Sequence, residues 1–168
     1  MLYHQSYDSP LGAMSLLATD KGLCGLYFQG QAYFEKGFET SERREVSRPV
    51  LEETVAWLSA YFSGENPSTA DLVLDLHGTP FQLRVWQALR AIPYGQVTTY
   101  GDLAKDLQCR SAQAIGGAVG RNPIALIVPC HRVLGAKGQL TGYASGLQVK
   151  EALLRREGLE LDSLVKGD

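Results

Sequence analysis

The chain has 168 residues, 45% of them hydrophobic, and a formal net charge of −2. That length holds one domain or two small ones with a packed core. No apolar run approaches the roughly 20 residues of a membrane-spanning helix, and the amino terminus, with His4 and Asp8 and no basic stretch, does not resemble a secretion signal. The expectation is a cytoplasmic protein with no membrane association. Cys24, Cys109 and Cys130 are odd in number and widely spaced, which argues against a disulfide framework and against a Cys-x-x-Cys metal knuckle. His4, Cys24 and His77 match no compact ligand spacing, so no metal site is expected. The charge is unevenly divided: residues 1–80 hold 5 Lys+Arg against 11 Asp+Glu, a net −6, whereas residues 81–160 hold 10 against 5, a net +5. A basic second half suggests an electrostatic footprint on one part of the molecule, although asymmetry of this size is common without one.

In chain order, β-friendly segments near Leu2–Tyr7, Ala13–Ala18 and Leu23–Phe28 are separated by the turn formers Asp8-Ser9-Pro10-Leu11-Gly12 and Thr19-Asp20-Lys21-Gly22, which predicts a three-stranded antiparallel meander. Residues 29–48 are polar and without period, read as loop plus a short helix. Ser47 and Pro49 can open a helix carrying Leu51, Val55, Leu58 and Phe62 at helical spacing, closed by Gly64. Leu72–Leu76 is a further strand candidate. At His77-Gly78 strands give way to helices, which places a domain boundary between an α/β support domain, residues 1–78, and a mainly helical domain, residues 79–168. Thr79-Pro80-Phe81-Gln82 is a capping box with Pro at the first helical position, and Phe81, Val85, Leu89 and Ile92 form the predicted buried stripe. After Pro93-Tyr94-Gly95, Thr98 or Thr99 caps a short helix through Leu107. A second short helix runs from Ser111 to about Gly120, and Asn122-Pro123 stops it. This pair reads as a helix-turn-helix. Ala112, Ala114, Gly116, Gly117 and Ala118 leave little bulk on the second helix, which suits either a nucleic-acid groove or tight packing on its neighbours. Arg132–Thr141, with the turn Gly135-Ala136-Lys137-Gly138, predicts a small hairpin or wing; a final helix, Leu147–Glu157, turns Val149, Leu153 and Leu154 inward and ends at Gly158. The overall fold class is α+β.

Chemistry concentrates in Ile127-Val128-Pro129-Cys130-His131-Arg132-Val133. A thiol is nucleophilic only as thiolate, and cationic or imidazole neighbours lower its pKa; His131 and Arg132 are such neighbours. Pro129 biases Val128 toward extended backbone, presenting Cys130 at the edge of a strand-like element. A packed core cysteine with an incidental histidine is the plainer alternative. Glu151 falls near the edge of the last helix's buried face, where it could meet His131 or remain a solvated carboxylate.

Pro129-Cys130-His131-Arg132-Val133, the preceding Asn122-Pro123, the following Gly142-Tyr143, Lys150-Glu151-x-Leu153-Leu154, and Tyr100 together resemble the O6-alkylguanine-DNA alkyltransferase (methylated-DNA-protein-cysteine methyltransferase) family, over about residues 79–158 and more loosely before them. The resemblance implies a DNA-repair protein that flips O6-alkylguanine from double-stranded DNA, with O4-alkylthymine as a second candidate lesion, and transfers the alkyl group once, irreversibly, to Cys130. It implies that His131 takes the thiol proton through a water while Glu151 orients it, that Tyr100 donates toward guanine N3, and that Asn122 braces the turn. Val133 and Ala144 would read the base edge and Tyr143 would wall the alkyl pocket. The helix-turn-helix would enter the minor groove, with Gln113, Ala114, Gly116 and Arg132 as DNA contacts; the family's usual arginine is here Gln113. A monomer without cofactor is expected. A Cys/His hydrolase and a module that recognises alkylated DNA without repairing it are the rival readings. Adjacent residues rarely align as nucleophile and base, which weighs against the first; retention of Cys130 weighs against the second.

Overall fold

The structure, a computed structural model, describes residues 1–164. The chain divides into two compact units, residues 1–77 with 123–125, and residues 78–122 with 126 onward. The sequence predicts a single break after residue 78, and the return of residues 123–125 to the first unit has no local signal. The end of the second predicted domain, residues 165–168, lies outside the described residues.

In the first unit the meander forms as β1 (Leu2–Ser9), β2 (Gly12–Thr19) and β3 (Gly22–Phe28). β1 and β2 pair from Tyr3↔Ala18 to Ser9↔Gly12, and β2 meets β3 with a bulge at Leu17/Ala18. Every residue of β3 is buried, so it lacks the in/out alternation of a half-exposed strand. Its outer edge is satisfied from two other parts of the chain. Leu23 N donates to Val73 O and Asp75 N to Leu23 O, at 2.9 and 2.7 Å; Leu26 N donates to Pro123 O and Ala125 N to Leu26 O, both at 2.9 Å. Leu72–Leu76 thus contributes one parallel bridge at Leu74 rather than a strand, since it needs only to quench backbone groups that burial would leave costly.

Residues 29–48 hold turns and β4 (Arg43–Arg44), parallel to β1, in place of the predicted short helix. A buried polar network orders this segment: Ser15 Oγ and Arg43 Nη1 donate to the two oxygens of Glu35 at 2.7 and 2.8 Å, and Arg43 Nη2 reaches Phe38 O at 3.0 Å. Helix α1 (Pro49–Phe62) starts at Pro49 as expected but buries Leu51, Thr54, Trp57, Leu58 and Tyr61. Val55 and Phe62 of the predicted stripe are only half-buried. The stacked pair Trp57 and Tyr61, ring centroids 5.3 Å apart, rotates the inward face, because large aromatic surfaces dominate the apolar burial.

In the second unit, α2 (Pro80–Arg90) opens on the predicted capping box: Gln82 N donates to Thr79 Oγ1 at 3.1 Å and Thr79 N to Gln82 Oε1 at 3.0 Å. It buries Val85, Trp86 and Leu89, while Phe81 and Ile92 are half-buried. The two-residue strand β5 (Thr98–Thr99) leads into α3 (Tyr100–Asp106), capped by Thr99, and α4 (Ala112–Gly120) is capped by Ser111. Gln108, at φ 54°, makes the tight turn between them. Trp86 Nε1 donates to Ala118 O at 2.8 Å, pinning α4 onto α2. The predicted wing is replaced. β6 (Val133–Leu134) pairs in parallel with β5, and the chain beyond it closes as a turn in which Gly135 N donates to Gln139 O at 2.9 Å. Helix α5 (Leu147–Arg156) and the short α6 (Leu161–Leu164) complete the unit, with Leu134, Leu154 and Leu161 in one apolar cluster. None of the helices among the described residues is long and apolar enough to cross a membrane.

Replacing Thr79 by Ala removes one half of the capping box and is expected to destabilise the protein by about 1 kcal/mol, read as a lower urea midpoint at unchanged m-value.

Candidate active site

The apolar run before Cys130 does not form the predicted strand edge. Leu126 takes a positive φ of 69°, and Cys130 N donates to Val128 O at 2.8 Å around Pro129. Cys130–Arg132 then form a single 3₁₀ turn. Proline's fixed φ and missing N–H favour this reversal over continued pairing. β6 anchors the turn on one side. On the other, Asn122 Nδ2 donates to Val128 O at 2.7 Å, so Asn122 sits where a brace for the turn is required.

Cys130 is buried, and burial pushes its thiol pKa up; hydrogen bonds from the Asn122 and Tyr143 side chains and the charge of Lys150 pull the other way. His131 has no exposed surface, and its Nε2 lies 2.6 Å from Glu157 Oε2. Nδ1 finds no hydrogen-bond partner among the described residues. With Nε2–H donating to a carboxylate, the tautomer leaves the lone pair on Nδ1. Burial also depresses the His131 pKa, against the opposing pull of Glu157, which favours the neutral imidazole.

Glu157, the C-cap of α5, therefore takes the place expected of Glu151. Its carboxylate has no exposed side-chain surface. Arg132 Nε donates to Oε1 at 2.8 Å, Arg132 Nη2 to Oε2 at 3.1 Å, and Gly95 N to Oε1 at 3.3 Å. Burial would raise its pKa, yet the hydrogen bonds and charges of His131 and Arg132 overcome this and bring it from 4.5 to about 2. Glu151 does not meet His131. It lies on the outward side of α5, 44% of its side chain exposed, paired with Arg155 at 2.9 Å. The neighbouring Lys150, not Val149, occupies the inward position, which turns Glu151 away.

Arg132, expected at DNA, is buried as well: besides Glu157 it donates from Nη1 to Ile92 O at 2.7 Å. It cannot serve as a phosphate contact while held there. Tyr100, the first residue of α3, is half-buried, its hydroxyl pKa raised by burial. Val133 is buried in β6; Tyr143 and Ala144 are half-buried in the loop before α5. Gln113 and Ala114 are exposed on the first turn of α4, whereas Gly116 is half-buried and faces the Tyr100 ring, 3.9 Å from where a Cβ would sit. Sequence reasoning misses two site residues. Lys150 is one, and it is wholly buried. Glu157, the other, carries a signal, since a carboxylate at a helix C-terminus opposes the macrodipole and calls for a compensating cation. Among the described residues no group of His, Cys, Asp and Glu could hold a metal ion.

The chain is similar to known proteins along nearly its whole length. Residues 80–159 match the family 6-O-methylguanine DNA methyltransferase, DNA binding domain, and residues 2–76 match 6-O-methylguanine DNA methyltransferase, ribonuclease-like domain. A methylated-DNA–protein-cysteine methyltransferase of Methanosarcina acetivorans is 45% identical over 159 residues, covering 94% of this chain and 99% of its own. Its namesake in Haemophilus influenzae is 37% identical, covering 93% and 86%. Among solved structures, Mycobacterium tuberculosis OGT in complex with DNA has a TM-score of 0.81 at 40% identity, covering 98% of this chain and 96% of that one. With both halves matched and relatives this similar along nearly the whole length, the chain belongs to the 6-O-methylguanine DNA methyltransferase family.

Proposed function

We propose that this protein repairs alkylated DNA by moving the alkyl group from guanine O6 onto the sulfur of Cys130. The observation that carries the reading is the thiol followed by an imidazole whose Nε2 is locked on Glu157 and whose Nδ1 lone pair is unengaged. That is the nucleophile, base and orienter arrangement. His131 Nδ1 takes the thiol proton through a water, a sulfur–carbon bond forms as the carbon–oxygen bond breaks, and the guanine leaves with its electron pair. Tyr100 donates its phenolic proton toward N3 of the departing base. The thioether product has no hydrolytic machinery facing it, so each molecule reacts once.

The second unit holds the acceptor and the DNA-binding helices, and the first unit serves as support. The exposed Ala112, Gln113 and Ala114 at the start of α4 suit a close approach to the minor groove of double-stranded DNA, where unstacking a base costs a few kcal/mol and a side chain fills the gap. Gln113 is placed to do so. Val133 and Ala144 read the base and Tyr143 walls the alkyl pocket. We place the protein in the cytoplasm as a monomer. A recognition module without transfer is the alternative, and the buried thiol beside an oriented imidazole favours transfer over it.

Mass spectrometry after incubation with a duplex bearing O6-methylguanine is expected to find one methyl, and never more, on the peptide containing Cys130; Cys130→Ser removes all transfer. Multiple turnover or an unmodified Cys130 would overturn the reading. Gln113→Ala is expected to slow repair of duplex DNA at least tenfold more than reaction with the free alkylated base, measured as single-turnover rates; equal losses would exclude the gap-filling role. Because the folded pKa of Glu157 is depressed, its stabilisation is present above the unfolded carboxylate value and is lost as pH falls through about 2. Glu157→Ala, which strands the buried Arg132 charge, is expected to destabilise by about 3–5 kcal/mol at pH 7 and to flatten the acid limb of the stability profile in urea titrations.

A further inference from the structure

Helix α4 carries the residues proposed to enter DNA, yet its own side chains do little to fix where it lies. Those it buries are Ile115, Ala118 and Val119, and glycine stands at Gly116, Gly117 and Gly120. Ridges this shallow set the rotation and tilt of a helix weakly. Two side chains of α2 supply what packing does not, by holding backbone carbonyls at the ends of both α3 and α4. Trp86, 2% exposed, donates from Nε1 to Ala118 O at 2.8 Å. That carbonyl is one of the last four of α4, which have no intrahelical partner four residues on; its other donor is Arg121 N at 3.2 Å. Arg84 Nη2 donates to Leu107 O at 3.0 Å. Leu107 is the C-cap of α3, directly before the tight turn at Gln108, and a cation there also offsets the helix dipole. Two positions apart, the two side chains leave α2 in different directions, so each helix has its own tie. The indole is fixed at both ends: a Cβ added at Gly78 would lie 2.6 Å from its Cη2 and Cζ3, so one edge of the ring rests on the Gly78 backbone while the other holds Ala118 O.

We propose that Trp86 and Arg84 are positioning residues for DNA: by holding Ala118 O and Leu107 O from α2, they set the seat of α4 and with it the depth at which Gln113 meets a duplex. The inference rests on α4 being the helix that enters DNA. Gln113 lies five residues before Ala118, about 7.5 Å along the helix axis, so a tilt of about 10° around the pinned end carries it by roughly 1 Å. Misplacement on that scale is enough to slow a reaction roughly a hundredfold. Arg84 is exposed in the basic half of the chain, where an arginine ordinarily suggests a phosphate contact, but its bond to Leu107 O gives it a different task. The consequence is confined to the duplex. A free alkylated base reaches Cys130 without being extruded by α4, so its transfer depends on neither tie.

The test uses the full chain and single-turnover rates. Trp86→Phe keeps a buried aromatic ring and deletes the N–H. It is expected to slow repair of a duplex bearing O6-methylguanine at least tenfold, while transfer from O6-methylguanine supplied as the free base stays within twofold. In a Gln113→Ala background the same substitution is expected to slow duplex repair by less than threefold further, since residues that act through one another do not add. A duplex loss no larger than the free-base loss, or a further loss of threefold or more in the Gln113→Ala background, would overturn the proposal by making Trp86 a general support. If Trp86→Phe does not fold, Arg84→Met decides. It is expected to slow duplex repair at least threefold with the salt dependence of duplex binding unchanged; an unaltered rate, or a salt slope shallower by about one, as for a lost phosphate contact, would refute the clamp. Failure of the underlying reading is distinguishable, because Gln113→Ala alone would then leave the ratio of duplex to free-base rates unchanged while Trp86 and Arg84 are intact.

Discussion

The carboxylate of Glu157 is the constraint on which the site depends. It is completely withdrawn from solvent and sits at the end of α5, where the helix dipole already disfavours negative charge. An unpaired anion in that position would cost several kcal/mol even after relaxation. Four donors make it tolerable: His131 Nε2, two guanidinium nitrogens of Arg132, and Gly95 N. Satisfying one carboxylate therefore joins three segments that are distant in sequence: the residue 92–95 turn, the 3₁₀ turn of Cys130–Arg132, and the end of α5. Arg132 extends the junction by donating to Ile92 O, and the Tyr94 hydroxyl closes it by donating to Arg156 O. The orientation of His131 is a by-product of meeting these demands all at once, which is why it needs no flexible adjustment.

A related economy governs the first unit. β3 would be an exposed edge with a fully apolar sequence, an arrangement prone to pairing with other chains. Short backbone contacts from residues 73–75 and 123–125 cap that edge instead. The second of these segments directly follows Asn122, the residue whose amide holds Val128 O. The chain is thus fastened just before it enters the apolar run that leads to Cys130.

Features set by near neighbours in sequence are readable from it. The capping box at Thr79 and Gln82, the cap at Thr99, one of two candidates, and the meander turns each depend on a few adjacent residues, and they form as expected. The Cys130-His131 pair is legible because the two residues are adjacent, whereas Asn122 is legible as a brace only through the family resemblance. Choices of partner across longer separations are not. Helical spacing points to Glu151 as the acid near His131; what puts Glu157 there instead is that Lys150 takes the inward position and that α5 ends at Arg156, letting Glu157 turn inward. Arg132 is expected at DNA through the family resemblance, and only the buried carboxylate of Glu157 explains why it is held inside. The turns of residues 29–48 are held by Glu35 bridging Ser15 and Arg43, a network with no periodic signature. On α1 the spacing of aliphatic residues points to Val55 and Phe62, yet the larger surfaces of Trp57 and Tyr61 decide which face turns inward.

The burial of Cys130 raises its pKa, which at first sight opposes its use as a nucleophile. The opposition disappears when the reaction is considered as a whole. A resting thiolate in this pocket would carry a standing desolvation penalty and would be open to indiscriminate alkylation and oxidation. Held as a thiol, the sulfur of the proposed acceptor stays quiet until a bound base brings an electrophilic carbon within reach. In the proposed transfer, proton loss to His131 is coupled to carbon–sulfur bond formation, with negative charge passing from sulfur to the leaving guanine. The end state is a thioether, apolar and uncharged, in a site whose burial favours such a group over the anion that preceded it. The environment that makes the thiolate costly is therefore the same one that makes its alkylated form comfortable. In the proposed transfer, the direction follows from a pocket better matched to the thioether than to the anion.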